Sequence, residues 1–260
     1  KFDEGSGTTT VYDSAGSNDG TMNGAMTESD WVTGQFGTAL DFEGTDDYVS
    51  ASNAISNYPF TMSAWFNTST TPALDQVIVG LYDVSETNVQ YALFVDDATG
   101  NVASIRARNT TSESVAGSTV VNDGAWHHAV AVYTSATQRD LYVDGVLEAS
   151  DTVSVTFGSG VDTVAIGRHS DFTPKSYFPG KLDDIRIYAY ARTAAEIRLD
   201  YNAGFGARFG GSPNQDVERG LIGHWDFNEG IGTTANDSSD QGSNGTLTNG
   251  PTWTTAGTPP

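Results

Sequence analysis

The amino-acid sequence predicts an all-β fold, an antiparallel two-sheet sandwich carrying one short helix near its end. Short runs of alternating, β-branched or aromatic residues recur between turns rich in Gly, Asp, Asn and Ser. No long helical periodicity interrupts them. The helix signal comes late, directly after a strand-like stretch. In Gly180-Lys-Leu-Asp-Asp-Ile-Arg-Ile-Tyr-Ala-Tyr-Ala-Arg, alternation puts Ile185 and Ile187 on one side and Arg186 and Tyr188 on the other. Thr193 with Glu196 three residues on forms a capping box, apolar positions follow at Ile197 and from Leu199 to Tyr201, and Gly204 stops the helix. Such a helix is expected to lie across the β domain as a lid, so this stretch marks the domain's end.

The preceding strands come at regular intervals. Ala39-Leu-Asp-Phe, Tyr48-Val-Ser-Ala, Phe60-Thr-Met-Ser-Ala-Trp-Phe, Gln76-Val-Ile-Val-Gly-Leu-Tyr, Tyr91-Ala-Leu-Phe-Val and Ala103-Ser-Ile-Arg-Ala-Arg are each bounded by turn residues. Trp126-His-His-Ala-Val-Ala-Val-Tyr follows, then Asp140-Leu-Tyr-Val-Asp-Gly-Val-Leu with an Asp-Gly hairpin turn at 144–145, then Asp162-Thr-Val-Ala-Ile-Gly. About ten to twelve short strands are expected. Trp65 and Trp126 read as core aromatics.

A repeat divides the chain. Phe2-Asp-Glu-Gly-Ser-Gly-Thr-Thr, continuing through Asp13-Ser-Ala-Gly-Ser-Asn-Asp-Gly20, returns as Phe227-Asn-Glu-Gly-Ile-Gly-Thr-Thr, continuing through Asp237 to Gly245. Residues 1–204 form one module, 205–219 a flexible linker and 220–260 the opening of a second. Gly220-Leu-Ile-Gly-His-Trp-Asp-Phe is strand-like, and only Lys1-Phe2 remains of its counterpart at the start. Leu221, Ile222, Trp225 and Phe227 are therefore expected either to complete a sheet of their own domain or to be donated to a neighbouring copy.

Composition narrows the function. The formal net charge is −21, from 33 acids against 12 bases, and this argues against nucleic acid and disfavours anionic membrane as partners. No apolar run approaches the ~20 residues of a membrane span. The absence of cysteine removes disulfides and thiolate metal sites. Few Lys and much Thr, Ser, Gly and Asn fit a secreted or cell-surface location. The chain opens at Lys1 without a signal-peptide pattern, so an exported form is expected to be mature or trimmed.

Several segments together resemble the laminin-G-like jelly rolls of the concanavalin A-like lectin/glucanase superfamily. They are Ala39-Leu-Asp-Phe-Glu-Gly-Thr-Asp-Asp-Tyr-Val, Phe60-Thr-Met-Ser-Ala-Trp-Phe, Gly124-Ala-Trp-His-His-Ala-Val-Ala-Val-Tyr, Leu141-Tyr-Val-Asp-Gly-Val-Leu, Ile166-Gly-Arg and Gly180-Lys-Leu-Asp-Asp-Ile-Arg-Ile-Tyr. The resemblance spans residues 1–204 and departs only in the truncated first strand. It implies two curved sheets, a secreted binding or adhesive role, and frequent calcium, but no particular ligand.

The residues argue against an enzyme. Retaining glycoside hydrolysis needs two carboxylates about 5 Å apart, and the Glu-x-Asp-x-x-Glu strand of the superfamily's glucanases is missing. His127 and His128 stand where the family has the same pair, and are expected to be packed or hydrogen-bonded. Calcium, which takes six to eight hard oxygens, is the expected cofactor. Its candidate ligands are Asp13 and Asn18 in an oxygen-rich loop, Asp183 and Asp184 on the closing strand, and Asp41 and Glu43. The candidate ligand-binding residues are Arg106 and Arg108, which share a strand face and could grip an anionic sugar, with Arg168, His169, Tyr82, Tyr177 and Trp31 near loops. These observations lead to a non-catalytic extracellular adhesion module with glycans or cell-surface proteins as partners. The alternative is a structural repeat that joins neighbouring copies head to tail.

Overall fold

The computed structural model describes residues 2, 4, 8–71, 73–85, 89–96, 102–109, 111–169, 176–202, 234–235 and 245–246. The chain divides into two compact units, Lys1–Gly206 and Ala207–Pro260.

In the first unit the strands in chain order are β1 (Thr10–Val11), β2 (Gly20–Asn23), β3 (Trp31–Thr33), β4 (Thr38–Glu43), β5 (Tyr48–Ser52), β6 (Phe60–Asn67), β7 (Gln76–Tyr82) and β8 (Gln90–Val95). They continue with β9 (Val102–Arg108), β10 (Ser112–Val120), β11 (Trp126–Ser135), β12 (Gln138–Val143), β13 (Val146–Asp151), β14 (Thr163–Ile166) and β15 (Pro179–Tyr188), followed by the helix α1 (Ala194–Tyr201). An eight-stranded sheet has the order β1-β2-β5-β14-β7-β8-β9-β10, and a seven-stranded sheet the order β13-β12-β11-β6-β15-β4-β3. All pairings are antiparallel, as the sandwich expectation requires.

Period-2 alternation explains most of these strands. Leu81, Tyr91, Leu93, Val95, Ile105 and Ala107 from the larger sheet meet Phe60, Met62, Ala64, Phe66, Ala131 and Tyr133 from the smaller in one core. At its centre Phe60 stacks on Tyr133 at 4.6 Å and meets Tyr91 edge-on at 5.5 Å. Phe2 is buried and packs on Trp31 at 6.4 Å.

The hairpin predicted at Asp144-Gly145 is present, with both residues at positive φ (49° and 77°), the backbone that a type I′ turn demands and glycine accepts without strain. The capping box at Thr193 and Glu196 is formed. Through Ile197, α1 packs on Val130 and Val132 on the outer face of the smaller sheet.

Four strands were not anticipated. β1, β2 and β3 are two to four residues long, and the polar β10, Ser-Glu-Ser-Val-Ala-Gly-Ser-Thr-Val, lies at a sheet edge where half-exposure removes the demand for alternation. Trp65 corrects its reading as a core aromatic. It is buried, but beneath the helix, where its ring stacks on Tyr201 at 5.5 Å. Trp126 is only half-buried.

In the second unit, β16 (Thr234–Ala235) pairs with β17 (Gly245–Thr246), with Thr234 opposite Thr246 and Ala235 opposite Gly245. The first unit pairs Thr10 with Thr21 and Val11 with Gly20, the corresponding positions of the sequence match. Leu221, Ile222, Trp225 and Phe227 lie outside the described residues.

Candidate functional site

The outer face of the eight-stranded sheet carries most of the candidate ligand-binding side chains. Two observations assign this face. Val79, Leu81, Tyr91, Leu93, Ile105 and Ala107 belong to the main core, whereas Ala92 and Phe94, alternating with Tyr91, Leu93 and Val95 along β8, form a separate apolar cluster with Val77, which lies beyond a register shift in β7. Strand register then lines up three rows on the outer side. Tyr82 faces Gln90, Gln90 faces Arg108, and Arg108 faces Ser112. In the next row Gly80, Ala92, Arg106 and Ser114 follow one another, and beyond it Val77, Phe94, Ser104 and Ala116.

Arg106 is the most firmly placed polar group of this face. Its guanidinium lies over the Phe94 ring, 4.6 Å from the centroid. Nη2 is 2.7 Å from Asp75 Oδ2, and Nε donates to Ser114 Oγ at 3.0 Å. The backbone beneath it is tied to the opposite sheet, because the Tyr133 hydroxyl donates to the Arg106 carbonyl at 2.8 Å. Burial pushes that phenol well above its ordinary range, so it stays a protonated donor. Stacking, ion pairing and a hydrogen bond together leave the planar fork one orientation.

The face is graded in exposure. Tyr82, Gln90, Ala92 and Phe94 are buried, Arg106 and Asp75 keep side-chain exposures of 22% and 21%, and Ser112 and Ser114 are exposed. The accessible part is therefore the β9–β10 edge with Asp75. At the buried end the His169 ring meets Tyr82 edge-on at 5.1 Å and its Nε2 bonds Gln90 Oε1. Gly80 is required there, since a Cβ would sit 2.5 Å from the Tyr82 ring.

Of the sequence candidates, Tyr82, Arg106, Arg108 and His169 are thus gathered on one face. Arg168 turns aside to cover Tyr48, with its guanidinium carbon 3.4 Å from the ring centroid. Tyr177 is half-buried between Ser176, whose carbonyl accepts from Val77 N–H, and the core residue Phe178. Trp31 is not a free platform: its indole N–H donates to the Thr8 carbonyl at 3.0 Å and its ring packs on Phe2. Sequence reasoning missed Asp75, Gln90, Phe94 and Ser114. The alternation of residues 91–95 could have put Phe94 beside the arginines, whereas Asp75 and Ser114 belong to segments without a periodic signal.

The expected calcium set is dispersed. Asp13 holds its own loop, accepting from Ala15 N–H at 3.0 Å and Asn18 N–H at 3.2 Å. Asp183 accepts from Phe36 N–H at 2.8 Å, and Asp184 grips Arg186 through both oxygens, at 3.0 and 2.6 Å. Asp41 faces Lys181 across the β4–β15 ladder. Glu43 alone among the six enters a cluster of three acids, with Asp46 and Asp47, among the described residues. His127 and His128 have the packed roles expected of them. His127 bonds Asp144 at 2.8 Å and Asp123 at 3.2 Å, and His128 is buried against Trp65.

Residues 43–198 match a family model described as the concanavalin A-like lectin/glucanases superfamily. The chain belongs to this superfamily. The match takes in more than half of the chain and bears out the laminin-G-like resemblance of its motifs. Domain 4 of AbnA, a GH43 extracellular arabinanase from Geobacillus stearothermophilus solved with arabinotriose, shares the fold at TM-score 0.57 and 18% identity, over 70% of this chain and 87% of that one. The Ruminococcus gnavus IT-sialidase CBM40 bound to alpha2,3 sialyllactose is similar at TM-score 0.50 and 16% identity, over 56% of this chain and 84% of that one. The binding domain of Paraclostridial Mosquitocidal Protein 1 is similar at TM-score 0.56 and 12% identity, over 75% of this chain and 51% of that one. At these identities the likeness is one of fold. No curated protein sequence matches the chain. No described helix is long and apolar enough to cross a membrane.

Proposed function

We propose that the chain is a non-catalytic, extracellular glycan-binding module that engages sugar at the β9–β10 edge of the eight-stranded sheet. The observation that carries this reading is Arg106 held over Phe94 and bonded to Asp75 and Ser114. A carboxylate that accepts, a hydroxyl that both donates and accepts, and a guanidinium that donates from an aromatic support are the groups needed to read neighbouring hydroxyls of a sugar ring. Because Asp75 neutralises Arg106 at 2.7 Å, a hydroxyl-rich neutral sugar fits better than the anionic sugar suggested by the arginines alone. The likeness to domains solved with arabinotriose and sialyllactose supports the same reading. The matching register of β1–β2 and β16–β17 supports its place in a repeat-built surface protein.

A glycan array tests this reading. The chain is expected to retain a defined set of glycans, and Arg106→Ala and Asp75→Ala each to weaken binding about tenfold or more, the effect of leaving a partner polar group unpaired. Melting temperatures close to that of the parent chain separate this loss from unfolding. An array without hits, or retention unchanged in both variants, counts against the proposal.

A further inference from the structure

We propose that Asp41, Lys181, Asn67 and Trp126 form a second sugar-binding strip, on the outer face of the seven-stranded sheet, whose ligand is a neutral, hydroxyl-rich glycan chain. Register sets the four side chains in one row across β4, β15, β6 and β11. Lys181 lies opposite Asp41 on one flank and opposite Asn67 on the other, and Asn67 lies opposite Trp126. Their neighbours along the strands, Leu40, Phe42, Leu182 and Phe66, belong to the main core, so the row faces away from it. Along β11 the core takes Ala129, Ala131 and Tyr133, which puts Trp126 on the outer side as well. Four adjacent strands span about 14 Å, enough for a short run of sugar rings.

The row is open where the rest of this face is closed. In the next row Trp65 is 4% exposed, because the Tyr201 ring of α1 stacks on it at 5.5 Å and the Phe36 ring meets it edge-on at 5.5 Å. Asp41, Lys181, Asn67 and Trp126 lie beyond that cover, and each is half-exposed. They are also uncommitted. Among the described residues no hydrogen bond or ion pair engages the Asp41 carboxylate, the Lys181 ammonium or the Trp126 indole. Asn67 Nδ2 donates to the Gly124 carbonyl at 2.6 Å, which orients the amide and leaves Oδ1 to accept.

These groups complement a sugar chain. A carboxylate accepts from hydroxyls, an ammonium donates to them, an amide oxygen accepts, and an indole offers an apolar face with a donor at its edge. One acid and one base leave the strip without net charge, and a protein of formal charge −21 repels acidic polysaccharides, so a neutral chain is the better ligand. The backbone beneath is fixed before any ligand arrives. Gly180, at φ +136°, lets β15 come so close to β6 that a Cβ would lie 2.3 Å from the Asn67 carbonyl oxygen, and the Thr68 hydroxyl donates to the Pro179 carbonyl at 2.7 Å. Such preorganisation lowers the entropy lost on binding.

The β9–β10 edge belongs to the outer face of the other sheet, so a module using both sites would hold one glycan chain on each side and cross-link them. The strip does not rest on the reading of that edge.

Native electrophoresis in gels containing soluble arabinan, xylan or hydroxyethyl cellulose tests the strip. The parent chain is expected to be retarded by at least one of the three. Trp126→Ala and Lys181→Gln are each expected to raise the polysaccharide concentration for half-maximal retardation about fivefold or more. Thermal melts close to that of the parent separate this loss from unfolding, and Lys181→Gln, at a half-exposed position without a partner, keeps the test decisive if Trp126→Ala fails to fold. Arg106→Ala is run alongside. Retardation weakened in Arg106→Ala but unchanged in both strip variants would overturn this proposal and leave the edge reading standing, and the reverse pattern would uphold the strip and sink the edge. A parent chain that none of the three polysaccharides retards would also overturn it.

Discussion

Asp151→Ala is expected to cost about 3–5 kcal/mol of folding stability, the range found when one partner of a buried ion pair is removed. Arg139 is 1% exposed, among the largest fully buried side chains of the protein. Its Nε donates to Asp151 Oδ2 at 2.6 Å, its Nη2 bonds the Val153 carbonyl, and Nη1 has no hydrogen-bond partner. A guanidinium in this position already satisfies only part of its donor capacity, and truncating Asp151 leaves the charge without a counterion. The converse substitution, Arg139→Met, removes the charge itself and is expected to cost less, because a flexible apolar chain can occupy the same channel. Urea denaturation of both variants reads the difference. An Asp151→Ala chain within about 1 kcal/mol of the parent would show that the pair contributes only as much as a surface pair.

Acid is expected to weaken the fold through His128 by about 3 kcal/mol between pH 6.5 and pH 4. His128 is 2% exposed beneath α1, with its ring 5.2 Å from Trp65, and Nδ1 has no hydrogen-bond partner. Burial pulls the imidazole down to about 4, the charges of Asp184 and Asp144 oppose the shift, and those of Arg186 and Arg192 assist it. An unfolded imidazole titrates near 6.5. As pH falls through that value the unfolded chain takes up a proton that the native state refuses until about pH 4, so stability declines over this window and then levels off.

The adjacent His127 acts in the opposite direction. Its pKa is raised first by the Asp144 hydrogen bond, against burial, so its contribution is full below the unfolded value and fades as pH rises through the raised native one. His128→Gln isolates the two. The gap between parent and variant should change by about 3 kcal/mol across the window, and parallel stability curves would show that His128 does not titrate there.

Alternation of 60–66, 91–95 and 126–133, the Asp144-Gly145 turn and the Thr193–Glu196 capping box are short-range patterns, and each produced the expected element. Even the facing of the closing strand was readable: Ile185 and Ile187 pack on the core, and Arg186 points outward to Asp184 and Asp200. A bulge was not. The β15–β6 register shifts between Asp183 and Arg186, and Asp184 takes φ 47°, a placement set by two neighbouring strands rather than by residues 180–188 themselves.

The candidate sites divide along the same line. Spacing marked Arg106 and Arg108 as sharing a strand face, and residue type marked Glu43 as a possible ligand. Nothing in the sequence linked Arg106 to Asp75, 31 residues away. The sequence by itself determined the longer alternating strands, the cap and the superfamily, because these depend on patterns within a few residues. Only the tertiary structure decided which charges neutralise one another and which are left without a partner. Those outcomes depend on sheet register and burial, which bring distant residues within hydrogen-bond reach and raise the energetic cost of any group left unpaired.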